Sequence, residues 1–272
     1  MTTAQELHAT AARLIGPCEI TEILGPAVAR ISGHRGREFI VKRHASQEKH
    51  DREVHAYRNW TDSLGPAAPA LIAADAQTRT IIIAAVPGQQ CQGLATAQAH
   101  QRAGEILRRF HEAEPPRRLF GYRDWLRGRS AHWLDQAAPF IAERDRTAAA
   151  AHLDALLETA VRAGVPCHLD FQERNWLLDQ DGNVCLIDFE HARTDLWLRD
   201  FVRLRFRVWP GRPDLKDAFL AGYGHDLSDD DAETLRHLGA LDALTAIARG
   251  HQARNAALIE HGHATLKQLS ES

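Results

Sequence analysis

The spacing of apolar positions changes near residue 88. Leu7, Leu14 and Ile15 lie among polar residues over residues 3–15, which predicts a short helix. Three short runs follow, Cys18–Leu24, Ala27–Ser32 and Arg37–Arg43, separated by Gly25-Pro26 and by the turn Gly33-His34-Arg35-Gly36. They read as strands joined by turns. Ser46–Asp62 carries Val54, Tyr57 and Trp60 three apart in a polar, helix-favouring background, and Gly65-Pro66 and Pro69 end that helix. Ala70–Ala74 and Thr80–Val86 are two further strands, the second apolar enough to be central, and Pro87-Gly88 stops it. After residue 90 the period becomes helical. Thr96–Glu114 repeats Ala99, Ala103, Ile106, Leu107 and Phe110, and Ala131–Ile141, Ala148–Ala163 and most of 213–270 follow suit. One hairpin interrupts the helices: Trp176–Leu178 and Val184–Ile187 around Asp179-Gln180-Asp181-Gly182-Asn183. The pattern predicts an α+β chain of two lobes, a strand-rich one over 1–88 and a mainly helical one over 89–272.

Composition removes several classes. With 33 Lys+Arg against 36 Asp+Glu the net charge is −3, so no global field draws in nucleic acid. The longest apolar run falls far short of the roughly 20 residues of a membrane span. The opening MTTAQELHATAARLIG lacks a basic segment followed by an apolar one, so no membrane or secretory targeting is expected, and the expected location is cytoplasmic. Four dispersed cysteines, Cys18, Cys91, Cys167 and Cys185, fit buried free thiols rather than a disulfide framework. Only four lysines occur, Lys42, Lys49, Lys216 and Lys267, so a task that needs a lysine has few candidates.

The hairpin is flanked by His168-Leu169-Asp170-Phe171-Gln172-Glu173-Arg174-Asn175 and by Ile187-Asp188-Phe189-Glu190. An Asp and an Asn five apart, then an Asp at the end of a strand thirteen residues on, is the spacing of a kinase catalytic loop and its metal-binding loop. One carboxylate there accepts a hydroxyl proton. An amide oxygen and a second carboxylate offer the hard ligands that suit Mg²⁺. Such a site also needs a lysine on the third strand and a glutamate on the next helix. Lys42 ends Glu38-Phe39-Ile40-Val41-Lys42, and Glu53 lies on the following helix beside Val54, Tyr57 and Trp60. Glu48, one turn earlier, is the competitor.

These residues give the chain a resemblance to the aminoglycoside phosphotransferase family, the small-molecule branch of the protein-kinase-like fold. The family signature H-G-D-x-x-x-x-N with I-D-F-[DE] is matched by His168, Asp170, Asn175, Asp188 and Glu190, and its L-x-x-L-H helix by Leu107-Arg108-Arg109-Phe110-His111. The hinge strand ending in Pro-Gly and a later Asp, here Asp200, match as well. The resemblance implies Asp170 as catalytic base and Asn175 and Asp188 as Mg²⁺ ligands. It also implies ATP as donor, held by Lys42, by Glu53 through that lysine, and by the backbone of Ala84–Val86. There are departures. Leu169 stands where the family has Gly, Gln172 where it often has His, and Ile23–Ala29 holds a single glycine where a glycine-rich loop has several. No G-x-x-x-x-G-K-[ST] occurs, which excludes a P-loop site.

The expected activity is therefore ATP- and Mg²⁺-dependent phosphorylation of a hydroxyl on a small cationic molecule. An antibiotic, aminoglycoside or viomycin/capreomycin-type cyclic peptide, is the leading candidate, by a monomer or homodimer. A metabolic kinase for choline, an amino alcohol or a sugar is the alternative, and a nucleotide-binding pseudokinase a third. A cationic acceptor calls for carboxylates among the C-terminal helices, and Asp226, Asp229, Asp230, Asp231 and Glu233 are the nominees, although acids after Ser228 also suit a helix start. Arg203, Arg205, Arg207 and Arg212 form a basic run near Trp209, read as solvated or internally paired.

Overall fold

The computed structural model describes residues 3–93, 96–159 and 163–270. An antiparallel sheet of five strands, ordered β1-β2-β3-β5-β4, builds the first lobe: β1 (Glu19–Gly25), β2 (Val28–Ser32), β3 (Glu38–Arg43), β4 (Leu71–Asp75) and β5 (Thr80–Ala84). Helix α1 (Thr3–Ile15) covers one face and α2 (Gln47–Asn59) sits on the other side, between β3 and β4 in the chain. Residues alternate across a strand, so the two faces of β3 and β5 feed two clusters. Phe39, Val41 and Ile82 meet Leu7 and Ala11 of α1. Ile81 and Ile83 join a core that runs on through Val54, Tyr57 and Trp60 into the helical lobe, with Ile40 packed against it. Both faces of β5 are thus covered, which explains its unbroken apolar run, although β3 is the middle strand.

The second lobe contains α3 (Ala97–His111), α4 (Tyr122–Ala137), α5 (Glu143–Glu158), α6 (Pro213–Tyr223), α7 (Asp229–Ala253) and α8 (Ala256–Ser270). Ser46, Thr96 and Ser228 cap α2, α3 and α7 by accepting from the N3 backbone N–H, and Asp231 completes a capping box with Ser228. The strands β8 (Trp176–Leu178) and β9 (Val184–Leu186) form the expected hairpin, closed by Asp179, whose carboxylate accepts from Asp181 N–H and from both the backbone and side chain of Asn183.

Several elements depart from the periodicity reading. Helix α4 begins nine residues earlier than the expected Ala131. Three short strands were not anticipated: β6 (Gln89–Gln90) on β8, and β7 (Val165–Cys167) paired with β10 (Arg193–Asp195). Of the expected helix over 148–163, residues 160–162 lie outside the described residues. At the end of the linking strand Gly88 has φ +121°, and a Cβ there would stand 2.9 Å from Leu178 O, so only glycine brings the linker against the hairpin. No helix among the described residues is long and apolar enough to cross a membrane.

Candidate active site

Lys42 and Ile40 share the face of β3 that looks toward α2, because Phe39 and Val41 are committed to α1. That face aims the Lys42 ammonium at three carboxylates: Glu53 Oε2 at 2.8 Å, Asp188 Oδ1 at 2.5 Å and Glu190 Oε2 at 3.1 Å. Burial disfavours the charge, but the three carboxylates outweigh it and raise the lysine above its ordinary value. Glu53 is 1% exposed and also accepts from Phe189 N–H at 3.2 Å and from His44 Nε2 at 2.5 Å. Burial pushes its carboxyl up, yet Lys42 and His44 hold it below the usual range. Glu48 pairs instead with Arg52 on the surface of α2, so Glu53 is the partner of Lys42. Glu190 bonds Lys49 at 2.5 Å as well, which brings two of the four lysines to one residue.

Phe189 is fully buried between the lobes. Its ring lies 5.2 Å from Tyr57 of α2, 5.4 Å from Phe110 of α3 and 5.1 Å from His168. This wedge fixes Asp188 on one side of it and Glu190 on the other, both facing Lys42.

The loop before the hairpin is held by hydrogen bonds at nearly every residue. Leu169, where a glycine was expected, has φ +61°. Asp200 braces that turn: Oδ2 accepts from His168 N–H at 2.8 Å and Oδ1 from Leu169 N–H at 2.5 Å. His111 Nε2 reaches the same carboxylate at 3.0 Å, and Tyr223 lies 2.9 Å from its other nitrogen. His111 is thus a link in this network, beyond the packed helix residue it resembles in sequence. The His168 ring donates from Nε2 to Ile187 O at 3.0 Å and accepts Asp170 N–H at Nδ1, 3.2 Å, which requires the neutral ring. Burial lowers its pKa in the same sense. His168 therefore braces the loop.

Asp170 is 3% exposed. Its Oδ1 accepts from Gln172 Nε2 at 2.7 Å and contacts Arg203, and its Oδ2 accepts from Asn175 Nδ2 at 2.8 Å and Arg174 Nη2 at 3.0 Å. A carboxylate offers about four lone-pair positions, so these donors fill it. A substrate hydroxyl reaches Asp170 by displacing one of them. Sequence reasoning missed Arg203 in this place. Its charge was legible only as one of four nearby arginines, and the fold separates them: Arg207 pairs with Asp242, Arg212 with Asp214, and Arg205 lies over Phe206.

Asn175 spends its amide nitrogen on Asp170, both backbone O and Oδ2, which leaves the amide oxygen as its ligand atom. Asp188 keeps a second carboxylate oxygen beside the one on Lys42. Hard neutral and anionic oxygens from two adjacent segments fit a Mg²⁺ ion bridged to phosphates. At the hinge, Ala84 N–H bonds Ala70 O and Ala85 N–H bonds Glu38 O, so the Val86 N–H lies past the sheet's pairing. The end of β1 presents the exposed side chains of Ile23 and Leu24.

A cavity of about 400 Å³ opens beside Leu169 and Arg203, between α2, α4 and α7. Seven lysines and arginines line it against two carboxylates. The acidic run nominated for a cationic acceptor is elsewhere: Asp231 caps α7, and Asp229, Asp230 and Glu233 line a separate surface groove with Arg205 and Arg236. The run thus follows the helix-start reading of these acids, and none of them lines the cavity beside Leu169.

No curated protein matches the chain. Solved structures do. An aminoglycoside phosphotransferase from Alicyclobacillus acidocaldarius shares 18% identity at a TM-score of 0.61, with 98% of this chain and 95% of that one covered. The GDP complex of aminoglycoside 2'-phosphotransferase-IIIa shares 15% at 0.72, covering 98% and 97%. A macrolide 2'-phosphotransferase type I shares 19% at 0.64, covering 98% of each. These likenesses establish the bilobal kinase-like fold. The sequence profile of the phosphotransferase enzyme family matches residues 21–269. The chain belongs to that phosphotransferase family.

Proposed function

We propose that the protein is an ATP- and Mg²⁺-dependent kinase that phosphorylates a hydroxyl of a small molecule. The observation that carries this reading is the convergence of Lys42, Glu53 and Asp188, three residues from a strand, a helix and a loop up to 146 positions apart, on one ammonium group. A pseudokinase has no use for that full set together with Asp170 and Asn175. The similar 2'-phosphotransferase is a GDP complex, which supports a nucleotide between the lobes.

In this reading the adenine lies along Ala84–Val86 and Lys42 leaves Asp188 to bind the α- and β-phosphates, with Glu53 holding it in register. Asn175 and Asp188 hold Mg²⁺, which when bound neutralises charge on the phosphates. Asp170 takes the proton of the acceptor hydroxyl as its oxygen bonds the γ-phosphorus and the bond to the ADP oxygen breaks. ATP and alcohol give ADP, phosphomonoester and the proton on Asp170. Most of the acceleration comes from positioning and electrostatics. In this reading the segments 1–88 and 89–272 work as a nucleotide-binding lobe and a catalytic and acceptor-binding lobe.

Asp170→Asn tests this. Turnover falls at least a hundredfold, the lower end of general-base effects, while Mg·ATP binding by thermal shift persists. Retention of a tenth or more of wild-type kcat refutes the base assignment. Growth of a susceptible host on an aminoglycoside and macrolide panel tests the antibiotic reading, and turnover of choline or a sugar without resistance replaces it with the metabolic one.

A further inference from the structure

The cavity beside Asp170 has an unusual charge balance. Arg129 of α4, Arg193 of β10, Arg199 of the turn after it and Arg249 of α7 line it together with Trp125, and Trp133 lies behind them. Arg193, Arg199 and Arg129 lie 4.6, 5.6 and 5.6 Å from the Trp125 ring, and Arg249 and Arg129 lie 5.2 and 5.9 Å from Trp133. One carboxylate pairs with two of the four. Asp195, 1% exposed, accepts from Arg193 at 2.8 Å and Arg199 at 3.3 Å, and also from the Tyr122 hydroxyl at 2.5 Å. Among the described residues neither Arg129 nor Arg249 has a carboxylate within ion-pair distance, and Arg129 Nε is buried without a hydrogen-bond partner. Burial, then the repulsion of Arg199, Arg193 and Arg249, pushes Arg129 down to about 10. His191, also on the wall, is held neutral near neutral pH by burial, which lowers it to about 4. The remaining wall cations are already matched: Lys49 by Glu190, Arg52 by Glu48, Arg203 by Asp170.

We propose that the acceptor carries an oxyanion, a carboxylate or a phosphate, and that Arg129 and Arg249 bind it while its hydroxyl reaches Asp170. The proposal rests on the kinase reading and names its acceptor class. Planar guanidiniums match both oxyanions in forked geometry, and a partly buried site makes the pairing strong. Arg203 connects the two ends. It lines the cavity and occupies Asp170 Oδ1, so an oxyanion arriving there competes for the arginine that blocks the base. With seven lysines and arginines against Glu48 and Asp242, the lining carries a net positive charge that disfavours a polycation. About 400 Å³ suits an acceptor of monosaccharide to dipeptide size.

The test uses Trp125 of the wall and Trp133 behind it. Fluorescence is titrated with citrate, inorganic phosphate and kanamycin at fixed ionic strength, for the wild type, Arg129→Gln and Arg249→Gln. Citrate or phosphate binds the wild type, kanamycin does not, and each variant weakens the anion about ten- to a hundredfold, as for a lost hydrogen bond to a charged group. Arg129→Gln keeps or raises Tm, because it removes a crowded charge; a merely structural arginine lowers it. In transfer assays from Mg·ATP, hydroxycarboxylates and sugar phosphates outpace aminoglycosides, the two arms separating carboxylate from phosphate. In both variants the KM for the accepted compound rises, with kcat within a few-fold. Kanamycin binding that the variants leave unchanged, a higher kcat/KM for any polycation, or a marked fall in Tm for Arg129→Gln overturns the proposal. Failure of the kinase reading is seen separately, as the absence of an Mg·ATP thermal shift that Lys42→Ala abolishes.

Discussion

Replacing Asp200 by alanine removes the acceptor on which the left-handed turn of the catalytic loop depends. The carboxylate is 1% exposed and accepts two backbone N–H groups, from His168 and Leu169, besides contacting His111. Each buried donor left without a partner costs about 1–3 kcal/mol, so the two amides together cost about 2–6 kcal/mol. Leu169 meanwhile stays at φ +61°, where a side chain costs roughly 1–2 kcal/mol, now without the bonds that hold it there. Against a total stability of about 5–15 kcal/mol this is severe. Asp200→Asn keeps one acceptor oxygen and falls between wild type and alanine. Adding Leu169→Gly to Asp200→Ala recovers part of the loss, because glycine accepts the positive φ freely. Urea unfolding reads all four proteins, with the m-value confirming that the same surface is exposed. A loss under about 1 kcal/mol for Asp200→Ala, or asparagine no better than alanine, refutes the reasoning.

Acid should weaken the lobe contact through Glu190. Burial pushes that carboxyl up, but Lys42 and Lys49 outweigh it and hold it at about 2. Its folded pKa thus lies below the roughly 4.3 of an unfolded glutamate, so its contribution is present above that value and is lost as pH falls toward 2. Tm measured from pH 7 to pH 3 falls less steeply in Glu190→Gln, and an identical slope removes the claim. The thiols should be inert in the native state. Burial pushes Cys91 up to about 11, Cys185 up to about 12, and Cys167 well above the ordinary thiol value. Native labelling with a disulfide reagent at pH 8 is expected at Cys18 alone, with all four reacting in denaturant. Rapid reaction of a second thiol in the folded protein contradicts this burial.

What the sequence disclosed follows from what its pattern encodes. Strands β2, β3 and β5 and helices α1, α2 and α3 bury residues in a core, and β1 and β4 pack partly buried ones against it, so their apolar spacing announces them. Asp170, Asn175 and Asp188 were nominated from the loop and hairpin spacing, and Lys42 and Glu53 from their places on the third strand and the next helix; the structure brings Lys42 to both Glu53 and Asp188. Glu190 was legible only in part, since only the folded Phe189 wedge turns it toward Lys42. The three-residue strands β7 and β10 exist only through each other, across a separation no local pattern records. The early half of α4 escaped for another reason. Over Tyr122–Ser130 it buries only Leu126 and Ser130, and its other face gives Trp125 and Arg129 to the cavity. A helix that lines a site lacks the apolar stripe by which helices are recognised. The unread stretch and the charge-crowded cavity are therefore one fact seen twice: residues withheld from the core were free to serve the acceptor. The same holds for Arg203, whose place on Asp170 is set by the turn after Asp200 and by no motif. Donor-side chemistry is written in short fixed spacings and can be read from the chain, whereas acceptor choice lies in side chains that three separate elements bring to one wall.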